Sequence, residues 1–507
     1  MIHAWSVDDV RAAEERAARG LPDDELMQRA AQGLAAVVAA RLPADPHTQP
    51  LVVALVGGGN NGGDALHALA HLAALVGEPL DLVAVLTGPQ AHEAGLAAAR
   101  EVGVEVHDAT TEPGRDAAVE ILGLADVVLD GVYGIGGRAG LPDLVAALVD
   151  TIAEDAHVVA VDVPSGADPG GEVPTGEGVW ADETVTFGGP KPVHVLGTAD
   201  RCGLLTVVDI GLDLDEVTPA AQRLEHDDLA LLWPVPGPQD DKYSRGVLGV
   251  VAGGESYTGA PALCVTAAVE AGAGMVRYVG PPGPTALVRQ LVPEAVHGAG
   301  RVQAWVVGPG LDPAPESWDR LGLDQVAAAR RALDGDLPCV VDAGALDLLD
   351  GPREHAGART LLTPHAGELA RLISRVDPDV TELTREQVSA EPVRWARRAA
   401  QLLRCTVLLK GGTTYVVPPP GSGLPVRAQA DAPAWAGTAG SGDVLAGLAG
   451  ALLAAGLDPL DAGSLAALVH GVAAHDANPG GPVRALAIAQ QLPRTVARLL
   501  ARPEARR

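Results

Sequence analysis

Leu51-Val52-Val53-Ala54-Leu55-Val56-Gly57-Gly58-Gly59-Asn60-Asn61-Gly62-Gly63-Asp64 runs from an apolar stretch through a glycine turn into the helical pattern Ala65 to Val76. Strand, tight turn and helix in that order make one βα step of a parallel sheet. The glycines let a backbone approach phosphate oxygens, and the helix start adds free N–H groups at the positive end of its dipole. The run is neither a dinucleotide fingerprint nor a P-loop. A second run, Gly437-Thr438-Ala439-Gly440-Ser441-Gly442-Asp443, opens the apolar helical stretch Val444 to Leu457. It has a different pattern, so the chain reads as two different phosphate-handling sites.

The same alternation extends on both sides of these runs. Ser6 and Asp9 resemble a capping box, Gly20 stops the first helix, and a second helix is predicted over Asp23 to Leu42. β-rich runs follow at Leu51–Val56, Leu80–Leu86, Asp126–Leu129, Val158–Val161, Glu183–Phe187 and Leu204–Ile210, with alanine-rich helical stretches between them. After Gly211 the text turns irregular and proline-rich, through Pro219, Pro234, Pro236 and Pro238. A second series begins at Val247–Val251 and continues through Met275–Val279, Val302–Val307, Cys339–Val341, Thr360–Leu362 and Thr406–Leu409, then turns helical from Asp443 onward. Pro418 to Pro425 reads as a loop or hairpin tip. Two α/β domains of unequal size account for this order: a first over 1–215, a linker over 216–240, and a second covered by the segment 225–507.

Composition narrows the class. A chain of 507 residues exceeds the usual single core, and a 47% hydrophobic fraction is ample for burial. A formal charge of −29 argues against nucleic acid or an anionic membrane as partner. Cys202, Cys264, Cys339 and Cys405 show no paired spacing and read as small core residues in a reducing compartment. No signal peptide or membrane-spanning run is read, so a cytoplasmic protein is expected. The only lysines are Lys191, Lys242 and Lys410, against many arginines. A lysine retained on that background is expected where its compact ammonium is needed.

In the second half, glycines before a helix aim several amides at one point, and Asp443 on the first turn can reach the same point. That suits phosphoryl transfer, with the amides stabilising charge and the carboxylate taking a proton from the attacking hydroxyl. The plainer reading is a helix start whose aspartate only favours the dipole. Three other strand ends weigh against it: Val307-Gly308-Pro309-Gly310-Leu311, Leu362-Thr363-Pro364-His365 and Leu409-Lys410-Gly411-Gly412-Thr413-Thr414. Ligands of open α/β sheets gather at such carboxyl ends.

With Tyr257-Thr258-Gly259-Ala260-Pro261 and Val341-Asp342-Ala343, these segments stand in an order that resembles the ribokinase-like, ADP- or ATP-dependent NAD(P)H-hydrate dehydratases. The resemblance implies that Lys410, Gly411, Gly412, Thr413, Thr414 and Gly442 hold the adenine nucleotide. It implies that Ala260, Gly310, His365 and Asp443 face the hydrated nicotinamide nucleotide, with Asp443 as base and Mg2+ on the phosphates. Pro433-Ala434-Trp435-Ala436-Gly437 departs from the Asn-Pro-Gly-Met-Ala-like run of many members.

In the first half, Val128-Leu129-Asp130-Gly131 leads into a glycine-rich loop, Gly134-Ile135-Gly136-Gly137-Arg138-Ala139-Gly140, and Asp162-Val163-Pro164-Ser165-Gly166 follows another strand. Asn61, Asp130 and Ser165 are hard oxygen ligands of modest charge, suited to a monovalent cation. Together with the Asn-Gly-Asp run, these segments resemble the Rossmann-like NAD(P)H-hydrate epimerases over 1–215. The resemblance implies K+ on Asn61, Asp130 and Ser165. It implies nucleotide contacts from Asn60, Asn61, Gly62, Gly63, Asp64, from Gly134 to Gly140 and from Asp162, with Asp162 the proton carrier. Ala65 and Ala70 stand where the family often has glycine and arginine.

The expectation is a bifunctional metabolite-repair enzyme. The first domain interconverts the R and S hydrates of NADH and NADPH (NADHX and NADPHX). The second dehydrates the S form with ADP or ATP, giving AMP and phosphate from ADP. The rivals are a small-molecule kinase of the ribokinase superfamily with a regulatory first domain, and a first domain that serves as a binding scaffold. A homo-oligomer is expected.

Overall fold

The computed structural model describes residues 1–43, 49–77, 79–173, 176–197, 199–316, 319–353 and 356–501. The chain divides into two compact units, Ile2–Ala221 and Gln222–Arg507, Met1 grouping with the second.

The first unit opens with a short strand β1 (Ile2–Ala4) and helices Val7–Ala17 and Glu25–Ala39. Ser6 caps the first of these by accepting from the Asp9 amide. Strands β2 (Leu51–Val56), β3 (Asp81–Leu86), β4 (Glu105–Asp108), β5 (Val127–Gly131), β6 (His157–Val161), β7 (Glu183–Phe187) and β8 (Leu204–Val208) form a sheet in the order β4-β3-β2-β5-β6-β7-β8. Each neighbouring pair is parallel. The period of two sets the layers. Val52, Ala54 and Val56 join a core with Leu34, Val38, Leu66 and Leu69 on one face, while Val53 and Leu55 join Ala118, Leu122, Val145 and Leu148 on the other. The strand order reverses at β2/β5, the place where such sheets bind ligands. β4 was not foreseen, because its Glu105-Val106-His107-Asp108 offers only one aliphatic side chain.

The second unit contains β9 (Ala221–Arg223), β10 (Val247–Val251), β11 (Met275–Val279), β12 (Val296–His297), β13 (Ala304–Val307), β14 (Cys339–Val341), β15 (Thr360–Leu362), β16 (Thr406–Leu409), β17 (Thr414–Val417) and β18 (Val426–Gln429). Its order from one side is β9-β18-β17-β16-β15-β14-β13-β10-β11-β12. The run from β16 to β12 is parallel. β17 and β18 form an antiparallel hairpin whose tip is 418–425. The order reverses at β10/β13. Helix Ser441–Ala454 is the centre of this unit, buried at nearly every residue. Gly447 and Gly450 let it approach closely: a Cβ there would lie 2.1 Å from the Cys264 carbonyl oxygen and 2.2 Å from Val306 Cγ2.

The stretch expected as a linker, 216–240, is structured in part. β9 lies within it, followed by a turn of 3-10 helix at His226–Asp228 and the helix Leu229–Leu232. A three-residue strand is too short to show a period. It is held by side chains instead: Gln429 accepts from the Leu224 amide at 2.8 Å, and Gln222 accepts from Arg427 at 3.0 Å.

All four cysteines are buried, and none forms a disulfide among the described residues. Burial pushes the thiols of Cys202 and Cys405 up to about 12 and that of Cys339 to about 11, and raises Cys264 well above its ordinary value.

Candidate active sites

In the first unit, Gly57–Gly59 follow β2 and the helix begins at Asn60, five residues before the predicted start at Ala65 and two before its glycine pair. Asn60 to Asp64 are therefore helical first-turn residues, not a turn. Gly62 and Gly63 are poor helix formers, yet a Cβ on Gly62 would lie 2.1 Å from the Gly57 carbonyl oxygen, and one on Gly63 2.9 Å from the His92 ring. Close packing thus overrides propensity.

At the end of β5, Asp130 is fully buried. It accepts from the Ser165 amide at 2.7 Å and from the Ser165 hydroxyl at 2.6 Å. Ser165 Oγ in turn accepts from the Tyr133 amide at 2.9 Å. Among the described residues no Lys, Arg or His pairs with Asp130, and burial raises its carboxyl to about 6 against these hydrogen bonds. The Asn61 side chain lies over Gly134, where a Cβ would come within 2.8 Å of Asn61 Oδ1, and its buried Nδ2 lacks a partner. Asn61, Asp130 and Ser165 so converge at the strand ends. In the loop beyond, Gly137 N bonds Gly134 O at 2.8 Å, and Gly140 N bonds Gly166 O at 2.9 Å. Ile135 packs on Val163, Ala167 and Val193, whereas Asn60, Gly136, Arg138 and Ala139 are exposed or half-buried.

Asp162 follows β6 with φ +63°, a left-handed backbone that a non-glycine residue adopts only when its surroundings hold it. Lys191 Nζ donates to its Oδ1 at 2.6 Å and Thr186 Oγ1 at 2.9 Å. His194 Nε2 donates to the Asp162 carbonyl at 2.8 Å while its Nδ1 accepts from the Lys191 amide at 2.9 Å, which fixes the tautomer. Burial, with Lys191 beside it, pushes that imidazole down to about 4, so it is neutral. Burial also opposes the charge of Asp162, but Lys191, His194 and Thr186 outweigh it and hold the carboxyl below the usual range. Lys191 is the element of this site that carried no predicted role; its rarity was the available signal.

In the second unit the predicted residues gather at the carboxyl ends of the strands. After β10 and β13, Gly253 N bonds Pro309 O at 2.7 Å. Gly310, at φ +64°, lies against Ala260 and Tyr257; a Cβ there would meet that of Ala260 at 2.8 Å. After β15, His365 caps helix Ala366–Val376: its Nδ1 accepts from the Gly367 and Glu368 amides, and the Glu368 carboxylate accepts from the His365 amide at 2.8 Å. Burial lowers the His365 imidazole, and the amide-accepting Nδ1 leaves Nε2 as its donor. A bridge joins His365 to Lys410 on the next strand end.

Lys410 Nζ donates to Asp342 Oδ1 at 2.8 Å and lies 3.8 Å from Glu368. Thr363 donates to the same Asp342 oxygen at 2.8 Å. A Cβ on Gly442 would stand 3.3 Å from Lys410 Nζ, so that glycine keeps the lysine against the helix start. Gly411 and Gly412 turn outward, Thr413 is half-buried, and Thr414 begins β17. Asp443, on the first turn of Ser441–Ala454, is raised to about 7 by burial first and by Asp342 and Glu368, with Lys410 opposing. Asp342 and Glu368 were missed: Asp342 stands inside a quoted motif and Glu368 three residues beyond one, but what each faces comes from a different strand end. Lys242 belongs to neither site. It precedes β10, on the amino-end side of that strand, and its ammonium lies 5.2 Å from the Tyr243 ring centroid.

The family model described as NAD(P)H-hydrate dehydratase matches residues 248–494, and that described as YjeF-related protein N-terminus matches residues 23–193. The chain is 44% identical over 470 residues to the Bifunctional NAD(P)H-hydrate repair enzyme Nnr of Mycobacterium tuberculosis, covering 90% of each. It is 42% identical to the protein of the same name from Mycobacterium leprae, covering 94% of each. A solved structure, the ADP/ATP-dependent NAD(P)H-hydrate dehydratase from Bacillus subtilis co-crystallized with ATP/Mg2+, aligns with 54% of this chain and 97% of its own at 22% identity and a TM-score of 0.46. Among the described residues no helix is long and apolar enough to cross a membrane.

Proposed function

The chain belongs to the bifunctional NAD(P)H-hydrate repair enzymes, and we propose that its first unit interconverts the R and S hydrates while its second dehydrates the S form at the expense of ADP. The observation that carries the second assignment is the meeting of Asp443, Lys410, Asp342 and Glu368 at one set of strand ends. A carboxyl held near 7 is a better base than an ordinary aspartate and is still half ionised at neutral pH.

Asp443 takes the proton from the hydrate hydroxyl as that oxygen attacks the terminal phosphoryl of the nucleotide. The N1 lone pair then expels phosphate, and loss of a proton from the neighbouring ring carbon restores the double bond. Lys410, fixed by Asp342, meets the transferring phosphate as a point charge, and amides at the Ser441 helix start donate to it. The donor set fits Mg2+ carried on the polyphosphate, since Asp342, Glu368 and Asp443 repel one another. When bound, the ion neutralises charge on the phosphates.

In the first unit the fully buried, cation-free Asp130 fits K+, which Asn61, Asp130 and Ser165 would hold. Bound there, the ion supplies a fixed positive charge beside the nucleotide. Asp162 handles the proton, and the amides of the Gly134–Gly140 loop accommodate the substrate's anionic groups.

The test mixes R and S hydrates with ADP or ATP and follows recovery of dihydronicotinamide absorbance. Full recovery is expected with ADP in potassium buffer. In lithium buffer recovery should stop near the S fraction, because the interconversion stalls. No recovery with either nucleotide, alongside phosphorylation of a small-molecule alcohol, would overturn the assignment in favour of a kinase.

A further inference from the structure

We propose that Asp64 is the acid of the epimerisation: it protonates the departing hydroxyl on one face of the ring, while Asp162, paired with Lys191, takes a proton from the water that adds on the other. This rests on reading the first unit as the epimerase.

Asp64 stands apart from the other buried carboxylates of that unit. Asp130 is bonded to Ser165, Asp162 to Lys191 and Thr186, and Glu183 to Arg41. Asp64 is only 9% exposed, yet it has no hydrogen-bond or ion-pair partner among the described residues. Three charged groups face it: Asp162 from the end of β6, Glu14 from helix Val7–Ala17, and Lys191 from the loop after β7. The single cation is already committed to Asp162 at 2.6 Å. Asp64 is therefore pushed well above the ordinary carboxyl range by burial first, and then by Asp162 and Glu14. Glu14 is raised too, by burial and Asp162 against Lys191 and Arg11. One site so holds a carboxyl that retains its proton beside another that does not, the arrangement that divides acid from base.

Hydration of the dihydronicotinamide ring places the hydroxyl on the carbon bonded to N1, so the two epimers differ at a carbinolamine carbon. Inversion there needs one bond to break. The N1 lone pair forms a C=N bond as the C–O bond breaks, and the Asp64 proton leaves with the hydroxyl as water. A solvent water then adds to the opposite face, its extra proton passes to Asp162, and the C=N electrons return to N1. The reverse inversion starts from protonated Asp162 and ionised Asp64, so one pair serves both directions.

The test follows interconversion of purified S hydrate in 18O-labelled water with the full chain and with Asp64→Asn. The parent should incorporate one labelled oxygen per inversion above the enzyme-free rate, and its kcat should fall as pH rises through the titration of Asp64. Asp64→Asn should lose about a hundredfold or more in kcat, without that basic limb and without a lower melting temperature. Asp64→Glu should keep both the limb and a fraction of the rate. Parental kcat in Asp64→Asn, a loss confined to KM, or inversion by the parent without label would each overturn the proposal. A parent that does not interconvert the epimers at all overturns the epimerase reading instead.

Discussion

Asp443→Asn is expected to melt at a higher temperature than the parent and yet dehydrate the S hydrate at least a hundredfold more slowly. The two effects share one cause. Burial and the carboxylates of Asp342 and Glu368 raise Asp443 to about 7, so the folded chain keeps a proton that the unfolded chain has released. The sign follows. Below the unfolded value near 4 both states are protonated and the site costs nothing. Across the interval from there to about 7 the unfolded chain has released the proton the folded chain still holds, so stability declines as pH rises and levels off once the folded state ionises too. At full ionisation the cost reaches up to about 4 kcal/mol, at about 1.4 kcal/mol for each unit of displacement. An isosteric amide escapes it. The same ionisation is what catalysis requires, so parental kcat/KM should rise with pH through about 7, whereas Asp443→Asn should show a flat, low profile. Calorimetry at pH 8 and a pH–rate series check both halves, and near-parental turnover by the amide removes Asp443 from the proton transfer.

Lys191→Met should destabilise the first unit by about 3–5 kcal/mol, because it strips the cation from a buried carboxylate. Lys191 is 1% exposed and bonds Asp162, Thr186 and the Phe187 carbonyl at 2.6, 2.9 and 3.1 Å. With the lysine present, Asp162 is held below the usual carboxyl range, so its contribution to stability is present above the unfolded value near 4 and is lost as acid protonates it. With the lysine gone, Asp162 must take up a proton or remain an uncompensated charge. Adding Asp162→Asn to Lys191→Met should return most of the lost stability, since two neutral groups need no counter-charge. It should return none of the epimerisation. Denaturant melts of the two single variants and the double variant test this; a double variant no more stable than Lys191→Met shows that the pair is not what holds this corner.

The sites were legible because their residues carry local signatures: Asp130, Asp162, His365 and Lys410 each stand at the end of an apolar run beside a glycine or proline turn, and Asp443 stands in a glycine run that opens a helix. What escaped depended on contacts made across the sheet. Asp162 and Lys191 are 29 positions apart and meet because β6 and β7 are neighbours. Asp342 meets Lys410 across 68 positions through two intervening strand pairings. The helix start at Asn60 was placed too late because Gly62 and Gly63 disfavour a helix locally, and only the packing on Gly57 and His92 explains their presence. β9 inside the predicted linker is held by Gln429 and Arg427, more than two hundred positions away, and nothing in its own three residues signals a strand.

The buried cysteines give the molecule an internal tally of its own opening. One thiol, Cys202, belongs to the first unit and three, Cys264, Cys339 and Cys405, to the second. Their displaced ionisation keeps them nearly free of thiolate at neutral pH while folded, so an alkylating reagent marks each only when its surroundings part. The mass added to an intact chain then distinguishes the events: a single adduct records the first half coming apart, and a triple adduct records the second. The two halves of this enzyme can thus be timed separately, in one tube and without cutting them from each other.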